Sequence, residues 1–188
     1  LDKYKEESYM VQQKVKVFLY MIGILSVLVV VLSVSLNIAM NESLLTGRNA
    51  MRASVFLLIV SAYFLVRAGR YSIGANLAIF GSLAAMGLQI ILADYKSGLE
   101  FSNRLHMLYI FMIITALFSS RWAMVMTMFA AIAIAVAAGL NASALTPDEI
   151  KGTIISFIES MVIIATASFI LMKMVDDTIR RLEASMKT

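Results

Sequence analysis

The sequence predicts an all-α, polytopic membrane protein with six transmembrane helices and a C-terminal helix that continues into the cytoplasm as a coiled coil. Hydrophobic residues make up 61% of the chain, well above the roughly 45–50% of a soluble domain. Apolar runs of about 20 residues, the length that crosses a bilayer, recur along the sequence. The chain contains one Pro, so few positions force a helix to break.

This pattern divides the chain into a lead-in helix, a transmembrane bundle and an exit helix, at residues 1–14, 15–173 and 174–188. The lead-in has mixed charge, and two arrangements are open for it: an interfacial helix held by Tyr side chains, or a helix packed beside the exit helix. The second span is short, but the long stems of Arg52 and Arg67 reach from its ends to the interface. The six spans are predicted at 15–39, 53–66, 73–93, 105–120, 122–139 and 151–172.

The sixth span has a clear start signal. Thr146 is a good N-cap, Pro147 suits the first helical position, and Glu149 completes a capping box. Small residues recur at every fourth position of the fifth span, and a shorter stripe of the same kind lies in the third span. Such stripes let helix backbones approach closely, so we expect them at packing faces. The two stripes are Ala123, Thr127, Ala131, Ala135 and Gly139, and Gly74, Ala78 and Ser82.

The distribution of basic residues predicts the orientation. With the N-terminus inside, eleven of the 16 Lys and Arg residues lie on the inner side of the membrane and five on the outer side. This bias favours a multi-pass protein of the cytoplasmic (inner) membrane with both termini in the cytoplasm. The net charge of +4 is spread over the ends of the spans, which indicates membrane orientation and not nucleic-acid binding.

Beyond the sixth span the apolar residues are spaced 3, 4, 3 and 4 apart, which is the rhythm of a coiled coil. Acidic residues precede basic residues by four positions on the other faces, a favourable helical pairing. No Gly or Pro interrupts the segment, so we expect one rod that continues from the membrane and pairs with a second copy as a parallel homodimer. Its rhythm begins at Met172, and the predicted dimer seam is Val175, Ile179, Leu182 and Met186.

Four polar side chains in the outer half of the spans form the predicted ligand site: Glu159, Gln89, Asn37 and His106. Polar groups are costly inside a bilayer unless they are paired, and a cluster at similar depth would suit a small ligand or a proton. A second interpretation stays open, in which Glu159 is protonated or pairs with one polar neighbour and only holds helices together. His106 alone is also compatible with an interfacial residue.

Several enzyme classes lack their signatures in this sequence. It has no phosphate-binding Gly loop, no His, Asp and Glu cluster for a metal, and no partner set that would make its single His part of a triad. The absence of Cys excludes thiolate metal sites and disulfides. One shallow His does not indicate a haem. We therefore predict no catalytic residue, no metal, no cofactor and no enzyme active site in this chain.

The chain has a recognisable segment at each end. The exit segment reads Val175-Asp176-Asp177-Thr178-Ile179-Arg180-Arg181-Leu182, and the opening contains Lys3-Tyr4-Lys5-Glu6-Glu7-Ser8-Tyr9 and Val11-Gln12-Gln13-Lys14-Val15-Lys16-Val17-Phe18. The exit segment is similar to the linker helices of methyl-accepting chemotaxis proteins and membrane nucleotide cyclases, and the opening resembles the short cytoplasmic lead-ins of the same proteins. The resemblance implies a dimeric six-helix input module joined in cis to a cytoplasmic signalling domain.

The leading functional hypothesis is therefore a membrane sensor and dimerisation module, which detects a small ligand, a lipid or a change in the membrane. The alternative is a small transporter or channel. Transporters tend to have broken helices and paired repeats, and this sequence has no Pro within a span and no clear repeat. A purely structural membrane anchor is a third hypothesis.

Overall fold

The computed structural model describes residues 2–5, 7–40 and 47–185, and every regular element within those ranges is helical. Some side chains inside the ranges lie outside the described set, among them those of Asn37, Ile179 and Leu182. A 3-10 turn at Asp2–Tyr4 precedes seven α-helices: α1 Tyr9–Met40, α2 Gly47–Arg67, α3 Tyr71–Ile91, α4 Gly98–His106, α5 Tyr109–Phe118, α6 Arg121–Asn141 and α7 Pro147–Ser185. The prediction of an all-α fold is confirmed.

Five helical segments in the described part of the chain are long and apolar enough to cross a membrane, which indicates a membrane protein. A sixth apolar helix, at Ala53–Arg67, is shorter and coincides with the predicted short second span. The five longer segments are Tyr9–Leu28, Tyr71–Ile91, Gly98–Phe118, Arg121–Asn141 and Pro147–Thr178.

The predicted fourth span, 105–120, falls on the end of α4 and on α5, and the helical segment begins earlier, at Gly98. The hydroxyl of Ser97 caps this helix by accepting a hydrogen bond from the backbone N–H of Glu100 at 3.3 Å. Glu100 and Arg104 then form an ion pair at 2.9 Å, one helical turn apart. These local interactions stabilise a helix in a stretch whose polarity predicts a loop.

The chain forms two compact units, Leu1–Ala85 and Met86–Thr188. In the first unit α1 packs against α2. Each of the two helices carries a stripe of buried residues three or four positions apart, as expected for one helical face. These residues are Val15, Phe18 and Ile22 on α1, and Ile59, Ala62 and Val66 on α2.

The N-terminal turn packs on the end of α2. The Tyr4 hydroxyl donates a hydrogen bond to the Val66 carbonyl at 2.6 Å, and the Lys3 ammonium donates to the Ala68 carbonyl at 3.4 Å. Burial raises the pKa of the Tyr4 hydroxyl, because a phenolate loses its solvation there. The first residues are therefore held to α2 by specific contacts.

Two glycines of α3 lie close against α2. A Cβ added at Gly74 would stand 2.8 Å from the Ala62 carbonyl oxygen, and one at Gly81 would stand 2.9 Å from a Leu58 methyl carbon. The contact at Gly74 is with backbone, so a side chain does not fit there, whereas the Leu58 methyl groups at Gly81 can move. The predicted packing role of the small residue at position 74 is confirmed.

In the second unit α6 packs on α5 and α7, and α5 and α4 also contact α7. All five small residues of the α6 stripe are buried, so their predicted packing role is confirmed. Gly139 shows why size matters: a Cβ there would stand 2.7 Å from Ile154 and 2.9 Å from Ile150 on α7. Small side chains on α6 thus allow the bulky side chains of α7 to approach its backbone.

A pair of hydroxyls links α5 to α6 within this core. The Thr115 and Thr127 side-chain oxygens are 3.2 Å apart, and both residues are fully buried. Each hydroxyl also lies within hydrogen-bond distance of the carbonyl one turn earlier on its own helix, at Phe111 and Ala123. Because a hydroxyl has one proton, one of the two donates to its carbonyl and the other donates across the pair. The pair satisfies polar atoms that would otherwise be costly in an apolar interior.

Candidate functional site

The helix that carries the predicted signalling seam is a single element of 39 residues, α7. Its capping box is confirmed. The Thr146 hydroxyl accepts a hydrogen bond from the Glu149 backbone N–H at 3.3 Å, and the Glu149 carboxylate accepts from the Thr146 backbone N–H at 3.0 Å. Pro147 is the first residue of the helix. The predicted continuity past Lys173 is also confirmed, since α7 runs unbroken to Ser185.

The α7 helix has one buried face within its apolar part. Phe157, Met161, Ser168 and Met172 are all less than 9% exposed, and they lie on one side of the helix because their spacing follows its turns. The opposite side is exposed, as Ile163 shows with 68% of its surface accessible. Both sides are largely apolar, so the burial pattern, and not the polarity, identifies the side that packs on the chain's own helices.

The seam residues begin where this buried face ends. Met172 is 6% exposed, whereas Val175, the next residue in the rhythm, is 41% exposed. The side chains of Ile179 and Leu182 and the whole of Met186 lie outside the described residues. The heptad pattern that starts at Met172 therefore continues the buried face of α7, and Val175 is the first residue of this pattern that the chain's own helices leave exposed.

An arginine at the start of α6 contacts α7 next to the first seam residue. The Arg121 guanidinium lies 3.4 Å from the Asp176 carboxylate and 5.4 Å from the centre of the Phe169 ring. Phe169 and Asp176 are seven residues apart, which is about two turns of one helical face. Ser120 positions this arginine by capping α6 through a 3.2 Å hydrogen bond from the Ala123 backbone N–H.

The structure describes the side chains of three of the four residues in the predicted polar cluster. Glu159, Gln89 and His106 are each exposed, and no side-chain hydrogen bond joins them in the described part of the chain. The fourth member, Asn37, has its side chain outside that part. Their proposed role as a ligand site stays a prediction.

His106 belongs to a row of rings that sequence reasoning missed. The centre of its ring is 5.2 Å from that of Tyr109, which stacks on Phe157 of α7 at 5.2 Å with the planes 7° apart. The Tyr109 hydroxyl is buried and has no hydrogen-bond partner among the described residues. The signal available in the sequence was a Tyr three residues after the only His, in an apolar segment.

This ring row and Glu159 lie on different sides of α7. Residues two apart on a helix are separated by about 200° around its axis, so the buried Phe157 and the exposed Glu159 point in different directions. Among the described residues the buried Tyr109 hydroxyl is left without a hydrogen-bond partner, and such groups in proteins generally bind a water or a ligand. No group of three or more His, Cys, Asp or Glu residues in the described ranges is placed to hold a metal ion.

Comparison of the chain with protein-family models, curated proteins and solved structures finds no match. The resemblance of its two ends to chemotaxis receptors and membrane cyclases therefore stays a prediction.

Proposed function

We propose that this chain is a membrane-embedded sensory input and dimerisation module that relays a stimulus through α7 to a cytoplasmic output domain in cis. The observation that carries the proposal is the continuity of α7 over 39 residues. At 1.5 Å per residue the helix is about 58 Å long, whereas the hydrocarbon core of a bilayer is about 30 Å thick. A single rigid element therefore connects the apolar bundle with a region well outside it.

The packing of α7 supports a relay over a passive tether. Helices α4, α5 and α6 all contact it, so a rearrangement of any of them displaces α7. The Arg121–Asp176 pair adds a polar contact at the end of the apolar part. Because the helix continues without a flexible loop, a rotation or shift at this level reaches Ser185 as a rigid-body movement.

The proposed module is a parallel homodimer in the inner membrane, with both termini in the cytoplasm. The basic residues support this orientation through the positive-inside bias. The seam of Val175, Ile179, Leu182 and Met186 supports pairing, because apolar residues in this rhythm bury against a second helix. The stimulus is a small ligand, a lipid or a change in the membrane.

One observation favours the alternative of a small transporter or channel: the apolar segment Gly98–Phe118 is interrupted between α4 and α5. Discontinuous helices are typical of transporter binding sites, where they expose helix ends. Here the interruption is a tight turn, in which the N–H groups of Met107 and Leu108 bond to the carbonyls three residues earlier, Arg104 and Leu105. These two N–H groups therefore have partners within the turn, and the unbroken α7 supports the relay more strongly than this interruption supports a transporter.

An insertion series in the full-length protein tests the relay. One residue inserted after Lys173 turns the downstream face by about 100° and should lock or abolish the output. Seven inserted residues almost restore the face, with a residual offset of about 20°, and should recover much of the output. Equal output from both insertions would show that α7 passes no rotational signal.

A further inference from the structure

A cleft between α1 and α2 is independent of the relay through α7. Its volume is about 540 Å³, within the range of small-molecule sites in proteins. One wall is a face of α1 on which Leu19 and Gly23 lie one turn apart and Ile24 adjoins Gly23. A Cβ added at Gly23 would meet no atom within 4 Å, so the glycine leaves open space in this wall.

The polar residues of the cleft are two cations and two phenols. Lys16 and Tyr20 come from α1, and Tyr63 and Arg67 come from α2. The Arg67 guanidinium donates a hydrogen bond to the Tyr63 hydroxyl at 3.3 Å and lies 5.7 Å from the centre of its ring. Lys16 and Arg67 have no acidic partner in the described part of the chain, and both are exposed.

We propose that this cleft binds one anionic phospholipid. Lys16 and Arg67 would hold its phosphate, the Tyr20 and Tyr63 hydroxyls would donate hydrogen bonds to its oxygens, and an acyl chain would lie along the apolar wall at Gly23. Lys16 lies near the start of the first apolar helix and Arg67 ends the second, so both cations stand where a bilayer changes from headgroups to hydrocarbon. Tyr is likewise favoured at that depth.

The combination of charge and apolar wall selects this occupant. A free phosphate would use the two cations but leave Leu19 and Ile24 without a partner. A zwitterionic lipid would bring its own ammonium group next to two uncompensated cations. An anionic phospholipid complements both parts, and basic sites between transmembrane helices are known to hold such headgroups.

The test is native mass spectrometry of the purified chain from nanodiscs that contain phosphatidylglycerol and phosphatidylcholine in equal amounts. The wild type should retain phosphatidylglycerol preferentially. Lys16→Gln and Arg67→Gln should each lower that preference about fivefold, and the double variant about 25-fold, from the usual contribution of one cation near an anionic headgroup. Arg70→Gln is the matched control, because Arg70 is an exposed cation three residues from Arg67 that does not line the cleft, and it should leave the preference unchanged.

A second variant keeps every charge. Gly23→Leu fills the open wall and should lower phospholipid retention, although the cations remain; a variant that retains the lipid as the wild type does would overturn the proposed seat of the acyl chain. Equal losses in Arg70→Gln and Arg67→Gln would show a general surface potential and no site. Displacement of the lipid by millimolar inorganic phosphate would show that the cleft binds a free phosphate, and the proposal would be wrong.

Discussion

Replacing Gly74 with Ala should destabilise the first unit, and the cause can be read from the contact of α3 with α2. The new Cβ would stand 2.8 Å from the Ala62 carbonyl oxygen and 2.6 Å from a methyl carbon of Val66. Ordinary van der Waals contact starts near 3.4 Å, so the two backbones must separate by about 0.6 Å at the carbonyl (3.4 minus 2.8). Overpacking of this kind costs about 1–3 kcal/mol.

Gly23→Ala is the matched control for this substitution. Both variants exchange a helical glycine for alanine, which by itself favours the helix by about 0.5–1 kcal/mol. The added Cβ at Gly23 meets no neighbour within 4 Å, so the helix-propensity gain cancels in the difference between the variants and leaves the overpacking cost of about 1–3 kcal/mol. Pulse proteolysis across a series of SDS concentrations measures the difference in the free energy of unfolding. Equal stability of the two variants would refute the close approach of α3 to α2.

Three further predictions concern the second unit. Thr127→Val should lower the free energy of unfolding in the same assay by about 0.6 kcal/mol, the mean value for an interhelical hydrogen bond in membranes, because it removes the contact with Thr115. An unchanged free energy of unfolding would argue against that bond. A double-mutant cycle of Arg121→Gln and Asp176→Asn should give a coupling free energy of about 0.2–1 kcal/mol, since the pair is partly exposed. This coupling should become smaller in high salt, and a coupling that does not respond to salt would contradict an ion pair. If Glu159 belongs to a ligand or proton site, Glu159→Gln should keep the fold and the dimer but alter the response of the full-length protein. If Glu159 only holds helices together, Gln should behave like the wild type and Glu159→Leu should lower the stability of the bundle in the same assay; a normal response with Leu would remove both roles.

Local signals in the sequence were sufficient for much of the fold. The capping box at Thr146 and Glu149 depends on four neighbouring residues, and the small-residue stripe of α6 depends on helical spacing alone, so both could be predicted. The start of α4 could not, because the ion pair of Glu100 with Arg104 stabilises a helix in residues whose polarity resembles that of a loop. Whether such a polar stretch forms a helix depends on its capping and ion-pair interactions relative to its solvation as a loop.

The sites depend on the rotation of helices about their axes, which the spacing of residues does not determine. The sequence placed Glu159 and Gln89 at a similar depth in the membrane. It could not determine whether the two side chains face each other or point in different directions. The stacking of Tyr109 on Phe157 depends on which face α7 turns toward α5. The cleft at Lys16 and Arg67 likewise requires that α1 and α2 turn these side chains toward each other.

The central claim is that α7 leaves the membrane as one half of a parallel pair, and disulfide crosslinking in native membranes tests it most directly. The chain contains no Cys, so single Cys residues can be introduced without background. Cys at Ile179 or Leu182 should crosslink between chains much faster than Cys at Arg180 or Glu183, because seam positions of a coiled coil face each other and the flanking positions do not. Equal crosslinking at all four positions would mean that no seam exists, and the proposed relay would lose its support.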